Sequence, residues 1–132
     1  MKEAKMIKIL IVDDSAAVRD GLGSILSRHA DFKIVGEAID GPEAIGKAGD
    51  LKPDIILMDA QMPEMDGVET TRRIKEHFPK IKVLLLTVHT AYIKEALAAG
   101  ADGYLMKDCQ REELFQTITA LSERPDIGSI SY

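Results

Sequence analysis

The chain has 132 residues, room for one domain and little more. Apolar residues make up 45% and charged residues 30%, a composition that builds a core beneath a solvated surface. A net charge of -5 argues against direct nucleic-acid binding, which needs a basic face, and no apolar run approaches the roughly 18 residues that cross a bilayer.

No small-residue cleavage site follows the first apolar run, so a signal peptide is not expected. One cysteine, Cys109, cannot close an intrachain disulfide, and a reducing cytoplasm is the simple inference. No cysteine-hydrolase motif accompanies it, so Cys109 reads as a helix-start residue.

In chain order, Ile7 to Val12 is a β-branched strand ending on Asp13-Asp14. Ser15 then caps a helix whose apolar stripe is Val18, Leu22, Ile25 and Leu26. Phe32 to Ala38 is a second strand. Asp40-Gly41-Pro42 opens a helix with Ala44, Ile45, Ala48 and Leu51 inward, and Lys52-Pro53 stops it. Asp54 to Met58 is a third strand, apolar enough to be buried on both faces, and Asp59 stands at its exit. Asp66 and Glu69 have the spacing of a capping box for a third helix lined by Val68, Thr71, Ile74 and Phe78.

Ile81 to Leu86 is the fourth strand and finishes on Thr87. A helix over roughly 91–99 has a thin apolar face of Ile93, Ala96 and Leu97, and Gly100 closes it. Gly103 to Met106 is a short fifth strand ending on Lys107. A last helix carries Leu114, Ile118 and Leu121, and Glu123-Arg124-Pro125-Asp126 breaks it. Strands alternating with helices predict an α/β fold, one doubly wound parallel sheet with right-handed crossovers. The expected unit is 6–122, with 123–132 as a tail or linker.

In a parallel sheet every carboxyl end lies on one edge. The strand exits then bring together Asp13, Asp14, Asp59, Thr87 and Lys107. Taken singly, each has a bland explanation: acids favour a helix N-terminus, a threonine can end a strand, and a lysine can sit at the surface. Together they demand more. Close carboxylates repel by about 4 kcal/mol per pair at ~4 Å and an effective dielectric near 20. A hard divalent cation offsets that, and Mg²⁺ takes one or two carboxylates together with phosphate oxygens. The set suits a tetrahedral anion attached to an acid. A carboxylate nucleophile forms an aspartyl phosphate, and Asp59 is the best candidate.

The motifs Ile11-Val12-Asp13-Asp14-Ser15, Leu57 to Gly67, Leu86-Thr87 and Gly100 to Asp108 carry a resemblance. Over about 6–122 the chain resembles a response-regulator receiver domain of two-component signalling, of the CheY-like superfamily. Its motifs are nearest those of receivers in helix-turn-helix regulators of the nitrate-response type, because Asp108 follows Lys107 where many receivers have proline. The resemblance implies a flavodoxin-like five-stranded sheet of order 2-1-3-4-5. It implies that Asp59 takes a phosphoryl group from a histidine kinase, with self-dephosphorylation but no turnover of a separate substrate. Asp14, Asp59 and the backbone carbonyl of Gln61 would bind Mg²⁺, with Asp13 acting largely through water. Thr87 and Lys107 would hold phosphoryl oxygens, and Tyr104 would be the switch aromatic. Implied partners are a DNA-binding output domain beyond residue 132 and a second copy, met through the fourth helix, fifth strand and fifth helix.

Two rival classes fit less well. A haloacid-dehalogenase-like phosphatase needs a second acid two residues after the nucleophile, and Gln61 stands there. A nucleotide-binding α/β domain needs a glycine-rich cradle after the first strand, and Asp13-Asp14-Ser15-Ala16 stands there.

Overall fold

The structure is a computed structural model and describes residues 5–62, 65–91 and 93–124. Strands β1 (Ile7–Val12), β2 (Phe32–Ala38), β3 (Ile55–Asp59), β4 (Lys82–Thr87) and β5 (Gly103–Met106) alternate with five helices. The helices are α1 (Ala16–Leu26), α2 (Gly41–Leu51), α3 (Gly67–His77), α4 (Ile93–Ala98) and α5 (Arg111–Glu123). All strand pairs are parallel and the order is β2-β1-β3-β4-β5.

The apolar runs explain why this sheet forms. Side chains alternate between faces, so a strand covered on both sides needs apolar residues at every position. Leu10, Val12, Ile56, Met58, Val83 and Leu85 face one layer, against Ala44, Ala48, Val68, Ile74 and Ala96 of α2, α3 and α4. Ile9, Ile11, Ile55, Leu57, Leu84 and Leu86 face the other, against Leu26 of α1 and Leu114, Ile118 and Leu121 of α5.

The caps follow local chemistry. Ser15 accepts from the Val18 N–H at 3.3 Å, and Asp40 and Asp66 accept from the Glu43 and Glu69 N–H groups at 2.9 Å each. The expected box on α3 is only half made. Glu69 turns to Arg72 at 2.6 Å and Arg73 at 3.7 Å. Gly100, at φ 110, closes α4 as expected.

Three boundaries differ from the sequence reading. Asp59 is the last paired residue of β3, opposite Leu86, rather than the first residue of the loop, whereas Thr87 ends β4 as expected, opposite Met106. Backbone pairing carries Asp59 one step further than apolarity alone indicates. Helix α4 has six residues, fewer than expected, and Leu97 is 46% exposed, so Ala96 is its one fully buried residue. The short helix cannot turn both Ala96 and Leu97 toward the sheet. Asp54 stands just before β3, where its carboxylate accepts from the Lys8 N–H at 2.8 Å.

Candidate functional site at the carboxyl edge

The ladder itself places the site. Just beyond the strands, the N–H groups of Asp13, Ala60 and Lys107 donate to the carbonyls of Ala38, Leu86 and Thr87 at 3.0, 3.2 and 2.9 Å. Each site residue thus leaves the sheet from a fixed backbone. Gly67 tightens the loop after Asp59. Its N–H donates to the Ala60 carbonyl at 3.0 Å, and a Cβ there would lie 2.7 Å from the Asp59 carbonyl oxygen. Glycine is required here for close approach, since its φ is not positive. The Asp66-Gly67 pair signals a turn in the sequence but not this contact.

Asp13 and Asp59 are buried, at 3% and 8% exposure, while Asp14 is exposed. Lys107 Nζ lies 3.2 Å from Asp13 Oδ2 and 3.3 Å from Asp59 Oδ1. Asp13 Oδ1 accepts from the Ser15 N–H at 2.9 Å, and Asp59 Oδ1 from the Gln61 N–H at 3.1 Å. One carboxylate oxygen from each of Asp13, Asp14 and Asp59 falls within 4.8 Å of the others.

Burial pushes the Asp59 carboxyl above its ordinary value. The Gln61 N–H and the Lys107 ammonium pull it back without overcoming burial, and Asp13 adds to the rise. Burial pulls the Lys107 ammonium down, but Asp59 and Asp13 outweigh it and leave Lys107 above the usual lysine value. Lysine therefore stays charged between two acids. Such a pocket receives an anion on an oxygen nucleophile and a cation on oxygen donors.

Thr87 is buried, and its hydroxyl is engaged with its own loop. It donates to the His89 carbonyl at 2.7 Å and accepts from the His89 N–H at 3.0 Å. Tyr104 is 43% exposed. A cavity of about 10 Å³ lined by Ala60, Leu85, Thr87, His89, Ile93 and Tyr104 separates the two, barely the room one water needs. Gln61 and His89 are exposed at the rim. Asp13, Asp14, Asp59 and Lys107 are thus brought together. Thr87 lines the same edge with its hydroxyl turned aside, and Tyr104 faces outward from the strand beside it. Pro63 and Glu64 of the second motif lie outside the described residues.

The sequence reading missed Arg19. Its guanidinium Nη1 donates to the Asp13 carbonyl at 2.7 Å, and its Nε to Glu37 Oε1 at 2.9 Å. An arginine one turn into a helix that follows two acids was the available signal.

A family model described as the response regulator receiver domain matches residues 9–119. The chain belongs to that family. The response regulator protein VraR of Staphylococcus aureus is 46% identical over 118 residues, covering 88% of this chain and 56% of that protein. The receiver therefore spans about half the length of the curated relatives it matches. The response regulator domain of Thermotoga maritima CheB superposes with a TM-score of 0.86 at 34% identity, covering 92% of this chain and 99% of that one. The receiver domain of the NarL response regulator of Mycobacterium tuberculosis gives 0.87 at 30% identity, over 92% and 99%. This receiver is a phosphoacceptor domain of the two-component type, with the flavodoxin-like fold that its family shares.

Proposed function

We propose that Asp59 is the phosphoacceptor and that the aspartyl phosphate switches an output surface. The observation that carries this is Lys107 bridging Asp13 and Asp59, with exposed Asp14 beside them. An Asp59 oxygen attacks the phosphorus of a phosphohistidine on a histidine kinase. The P–N bond breaks, and the imidazole leaves with the electron pair. Lys107 then follows the charge onto a phosphoryl oxygen, and the Thr87 hydroxyl turns from its loop to donate to another.

The donor set fits Mg²⁺: hard oxygen ligands, clustered and open to solvent on the Asp14 side. Asp14, Asp59 and the Gln61 carbonyl would hold it. Both Asp13 carboxylate oxygens already have partners, which favours Asp13 acting largely through water. When bound, the cation offsets carboxylate repulsion and the charge of the transferring group. The chain modifies itself and loses the group to water, without turning over a separate substrate.

The receiver unit is 6–122 in this reading, and 123–132 begins a linker, of which residues 125–132 lie outside the described residues. One structural neighbour is a DNA-binding response regulator of the LuxR family from Staphylococcus aureus, which supports a helix-turn-helix output domain beyond residue 132. Among the described residues no helix is long and apolar enough to cross a membrane, in keeping with a cytoplasmic setting. Exposed Leu97 and Tyr104 belong to the α4, β5 and α5 surface through which a second copy would dock.

The test is incubation with a small acyl phosphate and Mg²⁺, read by intact mass. Wild type gains one phosphoryl group, Asp59→Asn gains none, and Asp14→Ala gains it far more slowly with an unchanged circular-dichroism spectrum. Steady donor hydrolysis with no retained group indicates a phosphatase instead. Normal labelling of Asp14→Ala removes Asp14 from the site.

A further inference from the structure

Asp13 is held at every polar group it has. Its N–H donates to Ala38, Oδ1 accepts from Ser15, and Oδ2 meets Lys107. The fourth group, its carbonyl oxygen, accepts from Arg19 Nη1 at 2.7 Å. That carbonyl belongs to the peptide that joins Asp13 to Asp14. Whatever fixes this peptide plane fixes the point from which the Asp14 side chain departs.

Asp14 needs such support. It is exposed, and among the described residues nothing bonds its carboxylate. Its direction rests on its backbone. Arg19 is well placed to steady that backbone, since its own side chain is only 16% exposed and is pinned by Glu37 at 2.9 Å. The Glu37 carbonyl in turn accepts from Lys47 of α2. One guanidinium thus spans from α1 to the exit of β1 and to the outer strand β2. A planar fork with several fixed donors makes two such bonds at once, whereas an ammonium on a flexible stem is a point charge.

We infer that Arg19 is a positioning residue for the acid pair: it locks the Asp13–Asp14 peptide and so presents the Asp14 carboxylate to the divalent cation. This rests on the proposed reading of Asp14 and Asp59 as Mg²⁺ ligands. Charge alone predicts the opposite effect. A cation beside a metal site repels the metal, so removing it tightens binding. Loss of positioning weakens binding. The sign of the change therefore separates the two roles.

The experiment is a Mg²⁺ titration of ¹⁵N-labelled protein, followed at the amides of residues 13–15 and 59–61. Wild type, Arg19→Lys, Arg19→Met and Glu37→Gln are compared, each checked for a cooperative melt. Both Arg19 variants raise the Mg²⁺ midpoint, by about tenfold if Arg19 acts as outer partners of metal ligands do. Glu37→Gln raises it less, and serves as the readout if an Arg19 variant does not fold. Labelling by acyl phosphate at saturating Mg²⁺ stays close to the wild-type rate, a split that simple destabilisation does not produce. An unchanged or lowered midpoint in Arg19→Lys, Arg19→Met and Glu37→Gln overturns the inference while leaving the metal site standing. A wild-type titration without shifts at residues 13–15 and 59–61 overturns the metal reading itself, and the positioning role with it.

Discussion

At the residue scale, Asp59 is an acid buried at some cost to stability. Its folded pKa is raised, chiefly by burial. The linkage sign follows: a raised carboxyl favours folding while it is protonated, and that contribution is lost as pH rises through the folded pKa. Metal-free Asp59→Asn, neutral at every pH, is therefore expected to melt higher than wild type at pH 7. The gap should shrink as pH falls through the raised Asp59 pKa toward the ordinary aspartate value of 3.8. An Asn variant that melts at or below wild type at pH 7 contradicts this. Gln61 and His89, two residues beyond Asp59 and Thr87, are both exposed at the rim where water must approach the phosphorus. Gln61→Ala and His89→Ala should change the half-life of the phosphoryl group with no change in Mg²⁺ midpoint. Identical decay in both variants and wild type would leave these side chains without a part in hydrolysis.

At the element scale, the short helix α4 is held less by its own face than by the loop that follows it. Asp102 in that loop accepts from Lys75 Nζ of α3 at 3.0 Å, from the Val83 N–H of β4 at 2.8 Å, and from Arg124 after α5 at 3.0 Å. Lys75 also donates to the Pro79 and Ile81 carbonyls at 3.1 and 2.9 Å. Only 4% of the Asp102 side chain is exposed. Removing it takes the counter-charge from a largely buried ammonium and the acceptor from the Val83 N–H, so Asp102→Ala should cost about 3 kcal/mol. Arg124 is at the surface, and Arg124→Ala should cost less than about 1 kcal/mol. Urea melts with a shared slope check both. A loss below about 1 kcal/mol for Asp102→Ala would show that the cluster adds little to stability.

At the scale of the whole molecule, the site and the output surface meet at Thr87. Its hydroxyl is bonded to the β4–α4 loop, Tyr104 lies outward, and the gap between them is too small for the ring. A phosphoryl oxygen near Asp59 offers Thr87 a stronger, charge-assisted acceptor. Drawing the hydroxyl inward would free the loop and enlarge the gap, and the Tyr104 ring would then rotate in. A few kcal/mol of preference for one state suffices. A beryllofluoride complex, which mimics the phosphoryl group, should shift the resonances of Tyr104 and of residues 93–100 as well as those of the pocket. Changes confined to the surroundings of Asp59 would refute the switch.

The amino-acid sequence by itself determined the alternation of strands and helices, the parallel sheet and the polar strand exits. These follow from features local in the chain: apolar runs of strand length, helical periodicity, caps and breakers. Only the tertiary structure decided how the exits are used. Lys107 and Asp13 are 94 residues apart, and nothing local says that the lysine bridges two acids. Nor does local pattern say that Asp13 is saturated while Asp14 is open, that Thr87 faces its loop, or that Arg19 reaches back to the Asp13 carbonyl. Gly67 reads as a turn glycine until the Asp59 carbonyl is seen against its missing side chain. Periodicity sets which way a side chain faces, but partners across a sheet edge are fixed by the packing of separate elements, and there the charges choose one another.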